Sequence, residues 1–104
     1  MRHKIFLPVL LLACLPLFTL HSQEKITLLT YMHANNYEQL LLLIDDYNKI
    51  PSKTPVSVEY VPFGNLKKQL YFRNSTGDLP DMVIVDNPDN AALAEEGLLA
   101  DISL

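Results

Sequence analysis

Ser75 to Leu104 reads STGDLPDMVIVDNPDNAALAEEGLLADISL, and its reading decides the fold. Gly77 and Pro80 break whatever precedes them. Asp81 then opens the run Met82-Val83-Ile84-Val85. Four apolar residues are too few for a helix, and β-branched residues bounded by Asp and Pro favour a strand buried on both faces. Asp86-Asn87-Pro88-Asp89-Asn90 supplies loop chemistry and a helix cap. Gly97 stops the short helix that follows, and Leu98-Leu99 are expected to fold back into the core.

Upstream, the same alternation appears twice more. Lys25 to Tyr31 (KITLLTY) is a short run of β-formers and reads as a strand. Asn35 is a good N-cap, and Glu38 three residues later completes a capping-box pattern for a helix running to about Asn48. Tyr37, Leu40, Leu41, Ile44 and Tyr47 form its buried stripe, whereas Leu42 and Leu43 fall off it and call for a second partner surface. Asp45-Asp46 reads as a solvated helix face, because neighbouring helical carboxylates point in different directions. After the loop Pro51–Pro55, VSVEYV (Val56–Val61) is a second strand. Pro62-Phe63-Gly64-Asn65 turns the chain, Asn65 is placed to cap another helix, and Phe63, Leu66 and Leu70 give that helix a narrow apolar face with Tyr71 at its margin. Lys67, Lys68 and Arg73 read as solvent-side cations. The sum is β-α-β-α-β-α, an α/β fold whose strands pair in parallel through right-handed crossovers.

Composition narrows the function classes. The chain has 104 residues, which permits one small domain at most. From Gln23 onward it carries six basic and twelve acidic residues, and a mildly acidic domain with no basic stripe argues against nucleic acid. There is no G-x-S-x-G, P-loop, H-E-x-x-H or dinucleotide glycine pattern. His33 is the only His after the leader, and one His with Asp is a poor zinc site, so neither a metal nor a cofactor is expected.

Met1 to Ser22 has the three parts of a secretory signal: Arg2-His3-Lys4, an apolar stretch from Ile5 to Leu20, and small Ser22 before a polar turn. The apolar stretch is interrupted by Pro8 and Pro16 and falls short of the roughly 20 residues a spanning helix needs. Leu11-Leu12-Ala13-Cys14 resembles a bacterial lipobox, which implies lipidation at Cys14. Leu12 is not the small residue usual there, and Leu15-Pro16-Leu17-Phe18 stays apolar where a polar tether belongs; the alternative is an inert Cys within the signal. Either way the domain is expected outside the cytoplasm.

Gly-Asp-x-Pro-Asp, four apolar residues, a polar loop and then Ala-Leu-Ala-Glu-x-Gly-Leu-Leu-Ala-Asp-Ile resemble the extracellular solute-binding proteins of ABC importers, in particular the sugar-binding, maltose-binding-like family. The resemblance extends over roughly Ile26 to Leu104 and is most specific from Gly77 onward. It implies a type II periplasmic-binding-protein-like lobe in which residues 23–104 hold only the start of the first lobe, and relatives continue beyond Ala-Asp-Ile-Ser-Leu. It implies no catalysis and two partners, a sugar or oligosaccharide and a membrane permease.

In open α/β sheets, ligands bind beyond the carboxyl ends of the strands. Three loops leave those ends here, and they contain Tyr31, His33, Asn35, Asn36, Phe63, Asp86, Asn87 and Asp89. Aromatic faces stack on sugar rings, while Asn and Asp bond hydroxyls; Asn, Asp and Pro also form plain turns. In the family the loops after the first and third strands contribute ligand contacts, which points to His33 and Asn35 in one and to Asp86, Asn87 and Asp89 in the other. This match is by position, not by identity. Relatives often place an aromatic such as Trp where this chain has Tyr31-Met32-His33, so the sugar type does not carry over.

Two other readings compete. Leu79 to Asp86 resembles a receiver domain's phosphoacceptor strand, but the acidic pair a receiver needs after the first strand is replaced by Tyr31-Met32-His33. A small exported interaction domain would need a self-sufficient core from about 80 residues, near the lower limit for one.

Overall fold

The structure is a computed structural model that describes residues 24–103. The signal-peptide and Cys14 expectations lie outside these residues. Three strands and three helices alternate: β1 (Ile26–Thr30), α1 (Ala34–Asn48), β2 (Val56–Tyr60), α2 (Leu66–Thr76), β3 (Met82–Val83) and α3 (Asn87–Glu95), with a 3-10 turn at Phe63–Asn65. The sheet is parallel throughout in the order β2-β1-β3. Ile26 to Thr30 pair with Val56 to Tyr60, and Leu28 and Leu29 pair with Met82 and Val83 on the other side.

That order corrects one expectation. The strand buried on both faces is β1, where Leu28, Leu29 and Thr30 are all buried. β3 is shorter than the run Met82–Val85 suggests, and Met82 is 44% exposed. Both follow from position: β1 is central, whereas β3 lies at the edge and has no further strand beside it among the described residues.

The core sits on one side of the sheet. Leu29 and Val61 meet Leu66 and Leu70 of α2 and Leu93 of α3, with Val83, Val85, Leu98 and Leu99 packed around them. No residue of α1 joins this cluster. The chain moves from β1 to β2 in one direction and back across β1 to β3 in the other, so right-handed crossovers put α1 and α2 on opposite faces. Tyr37, Leu40, Ile44 and Tyr47 of α1 are half-buried as the stripe requires; Leu41 is not, and Leu42 and Leu43 are 60% and 68% exposed. The Asn48 side chain joins α1 to β2 by accepting the Val56 N–H at 2.7 Å and donating to the Val56 carbonyl at 2.9 Å.

Glycines close two of the three helices. Gly77 adopts φ 72 after α2 and Gly97 φ 76 after α3, a left-handed backbone that a Cβ disfavours. The Leu98 N–H then donates to the Leu93 carbonyl at 2.9 Å, which turns Leu98 and Leu99 back onto the core. The starts differ from expectation. The N-cap of α1 is His33, and the chain enters the helix through Ala34 at φ 51, so Asn35 already lies inside the first turn and caps nothing. Asn65 holds the N-cap position of α2 without a side-chain bond, because the 3-10 turn ahead of it already bends the chain into the helix.

Two polar clamps fix the strands. Arg73 is no free surface cation: its side chain is 13% exposed, its Nη1 lies 2.6 Å from a Glu59 carboxylate oxygen on β2, and its Nε donates to the Asp78 carbonyl at 2.6 Å. At the amino end of the sheet, one Asp81 carboxylate oxygen accepts the Thr27 N–H at 2.7 Å and the Thr27 hydroxyl at 2.9 Å, and the Asp81 N–H donates to that hydroxyl at 3.1 Å. The Thr27 backbone and hydroxyl donors favour the ionised form and hold the Asp81 carboxyl below the usual carboxylate range. A carboxyl depressed in the folded state contributes stability that is full above its unfolded value of about 3.9 and is lost as pH falls through the lowered folded value. Asp81→Ala is therefore expected to melt lower at neutral pH and to lose less stability than the parent below about pH 4. Thermal melts across that range check this, and identical acid slopes in parent and variant would contradict it.

Candidate functional site

Because all three strands are parallel, their carboxyl ends share one edge of the sheet. The ladders run one residue beyond the strands there. The Val61 N–H donates to the Thr30 carbonyl and the Ile84 N–H to the Leu29 carbonyl, both at 2.9 Å. The Thr30 hydroxyl, fully buried, accepts the Met32 N–H at 3.0 Å and turns the chain out of β1. The loops after β2 and β1 then touch: the Phe63 and Tyr31 rings make an edge-on contact at 4.9 Å between centroids.

The reversal of strand order falls between β1 and β3, the position where open α/β sheets open a crevice. The five candidate residues flank it. His33 and Asn35 lie in the segment after β1, both exposed, with His33 in extended backbone and its side chain capping nothing. Asp86, Asn87 and Asp89 lie in the segment after β3.

Two of the five are already engaged. Asp86 is the N-cap of α3; its carboxylate accepts the Asn87 N–H at 2.9 Å and its carbonyl accepts the Asp89 N–H at 3.0 Å. Asp89 sits in the first turn, where a negative charge suits the helix dipole, and lies 2.6 Å from the Lys67 ammonium of α2. The Asp89 carboxylate raises the Lys67 pKa above the ordinary lysine value. Asp89 thus joins α2 to α3, which its position in a polar loop gave no reason to expect. His33, Asn35 and Asn87 remain exposed. This edge offers exposed hydrogen-bonding groups beside two aromatic rings, and among the described residues no group of three His, Cys, Asp or Glu side chains is placed to hold a metal. Such chemistry suits binding of a hydroxyl-rich solute.

A separate groove of about 960 Å³ runs along the free edge of β3, lined mainly by Leu79, Met82, Val83, Ala94, Leu98 and Ile102. None of the five candidate residues lines it. Its walls continue the apolar core at the sheet edge.

No curated protein matches the chain. Among solved structures, the chain is similar to the cyclic alpha-maltosyl-1,6-maltose binding protein from Arthrobacter globiformis, with 26% identity and a TM-score of 0.71. The match covers 76% of this chain and 20% of that one, so the chain spans about a fifth of the length of that protein. The family model described as bacterial extracellular solute-binding protein matches residues 33–103, a segment that runs from the His33 cap through α3 to the closing turn. With well over half of its length so matched, the chain belongs to the bacterial extracellular solute-binding proteins.

Proposed function

We propose that the chain is the opening portion of the first lobe of a sugar receptor serving an ABC importer. The observation that carries this reading is the placement of the loops after β1 and β3 on either side of the strand-order reversal, in a fold similar to that of a protein that binds a cyclic maltosyl-maltose. His33, Asn35 and Asn87 are the groups free to bond sugar hydroxyls. Asp86 contributes through its remaining carboxylate oxygen, and Asp89 by holding α3 in place. The extracellular character of the family agrees with a leader at residues 1–22 that directs export, with Cys14 as a lipid-anchor site if the lipobox is used. A permease in the membrane receives the loaded receptor.

A closing receptor gains its affinity from contacts on both sides of a cleft, which favour the closed state. One side alone is expected to bind maltose only in the millimolar range or more weakly. Amide NMR titration of the chain tests the reading: shifts clustered at 31–36 and 86–90 support it, and their absence from both segments overturns it. Calorimetric titration showing micromolar binding would contradict the one-sided cleft.

A further inference from the structure

The free edge of β3 is open both to hydrogen bonds and to apolar contact. Ile84 directs its N–H at the Leu29 carbonyl of β1, so the alternation along a parallel ladder turns the N–H and C=O groups of Val83 and Val85 to the open side. The apolar groove lies beside them, with Leu79, Met82 and Ile102 at 37%, 44% and 88% exposure. Its lining includes Asp81 and Asp101 and no lysine or arginine, and neither carboxylate is paired with a cation among the described residues. The occupant that matches is an extended apolar segment with a basic flank, added as a strand.

The chain carries such a segment outside the described residues. Arg2-His3-Lys4 precedes the apolar stretch, in which Pro8 and Pro16 bracket Val9–Leu15 (VLLLACL). That run keeps every backbone N–H, has an ordinary strand length and is too short for a stable helix on its own. Its tether begins beside the groove: the described chain starts at Glu24, and the Thr27 N–H is 2.7 Å from the carboxylate of the groove residue Asp81. Pro16 to Lys25 connect the two, at about 3.3 Å per extended residue. The other exposed apolar surface, Leu42 and Leu43, lies on a helix whose backbone is already bonded, and its neighbours Asp45 and Asp46 are paired with Lys49 at 3.1 and 2.9 Å. A second copy would set one acidic groove against another. We propose that, while the leader remains attached, Val9 to Leu15 adds as a strand to the free edge of β3, with Arg2 and Lys4 drawn to the acidic groove.

Amide hydrogen exchange of the full chain, followed by NMR over a dilution series, tests this. The Val83 and Val85 amides are expected to exchange at least about tenfold more slowly in the parent than in a double variant, Leu10→Asp with Leu12→Asp, whose leader no longer suits an apolar groove. The Ile84 amide, held by β1, reports on folding and is expected to exchange alike in both. Arg2→Glu with Lys4→Glu is expected to lose about three- to tenfold of the protection, and added salt acts in the same direction. Protection that is independent of chain concentration supports docking within one chain. Protection that falls on dilution assigns the edge to a second copy and overturns the proposal. Equal exchange of Val83 and Val85 in the parent and the double variant overturns it as well, and so do leader-dependent shifts at Leu42 and Leu43 with none at Val83.

Discussion

Leu93→Ala is expected to cost about 2–5 kcal/mol of folding stability, the range for emptying a well-packed leucine site. Leu93 is 1% exposed and is the one buried residue of α3. It touches a cluster formed by Leu29, Val61, Leu66 and Leu70, so its loss opens a hole between sheet and helices. Domains of this size have stabilities near the lower end of about 5–15 kcal/mol, and a loss of that magnitude removes much of the total. Urea denaturation followed by circular dichroism measures it. Leu43→Ala provides the contrast: at 68% exposure it should change stability by no more than about 0.5 kcal/mol. Equal midpoints for the two variants would show that the cluster does not carry the fold. The effect also reaches the site. α3 carries Asn87 and Asp89, and its anchoring to the sheet through Leu93 is what presents the loop after β3.

Arg73→Met is expected to be the most damaging change to a charged residue, at about 1.5–3 kcal/mol, the range for hydrogen bonds to ionised groups. Methionine keeps an apolar stem of similar length, so packing is largely preserved and the loss reports on the guanidinium. That group spans three elements: it bonds Glu59 on β2 and the Asp78 carbonyl in the turn after α2, and it projects from α2 itself. Glu59 is partly open to water and can be resolvated, which places the expected cost toward the lower end. Arg73→Lys should recover only part of it, because an ammonium cannot direct two donors along the guanidinium's fixed geometry. Lys68→Met, at an exposed position on the same helix, should lie within about 0.5 kcal/mol of the parent. Denaturation midpoints order these variants, and an Arg73→Met midpoint equal to that of Lys68→Met would refute the clamp.

The element sequence β-α-β-α-β-α was legible because each element carries its own punctuation. Gly77 and Gly97 break the chain after helical stretches as expected, both in left-handed backbone, and the cap expected from Asp86–Asn90 is supplied by Asp86. Leu42 and Leu43 are as exposed as their departure from the helical stripe implied. What the sequence concealed was long-range partnership. Thr27 and Asp81 stand 54 positions apart, and nothing local in either marks the bond. Arg73 read as a solvent-side cation because its partner Glu59 lies on a strand whose neighbourhood only the tertiary fold supplies. The edge position of β3 was hidden for the same reason: Met82-Val83-Ile84-Val85 has the composition of a central strand, and strand order is not a local property. In the candidate site, the location of all five residues at the carboxyl edge followed from parallel pairing. The engagement of Asp89 by Lys67, and the contact that makes Phe63 a braced ring, appeared only once the helices and loops were placed.

The central place of β1 bears on the order in which the chain assembles. β1 is the first described element, and both of its sheet partners follow it: Val58 opposite Leu28 on one side, Met82 opposite the same residue on the other. A chain emerging from the ribosome therefore exposes the strand that ends up most buried before either partner exists. Pairing with β2 becomes available first, but the core face stays open until Leu93 arrives. The window of vulnerability to misassembly thus extends over nearly the whole described length, and Ile26 to Thr30 is a target throughout it for a chaperone that binds extended apolar segments.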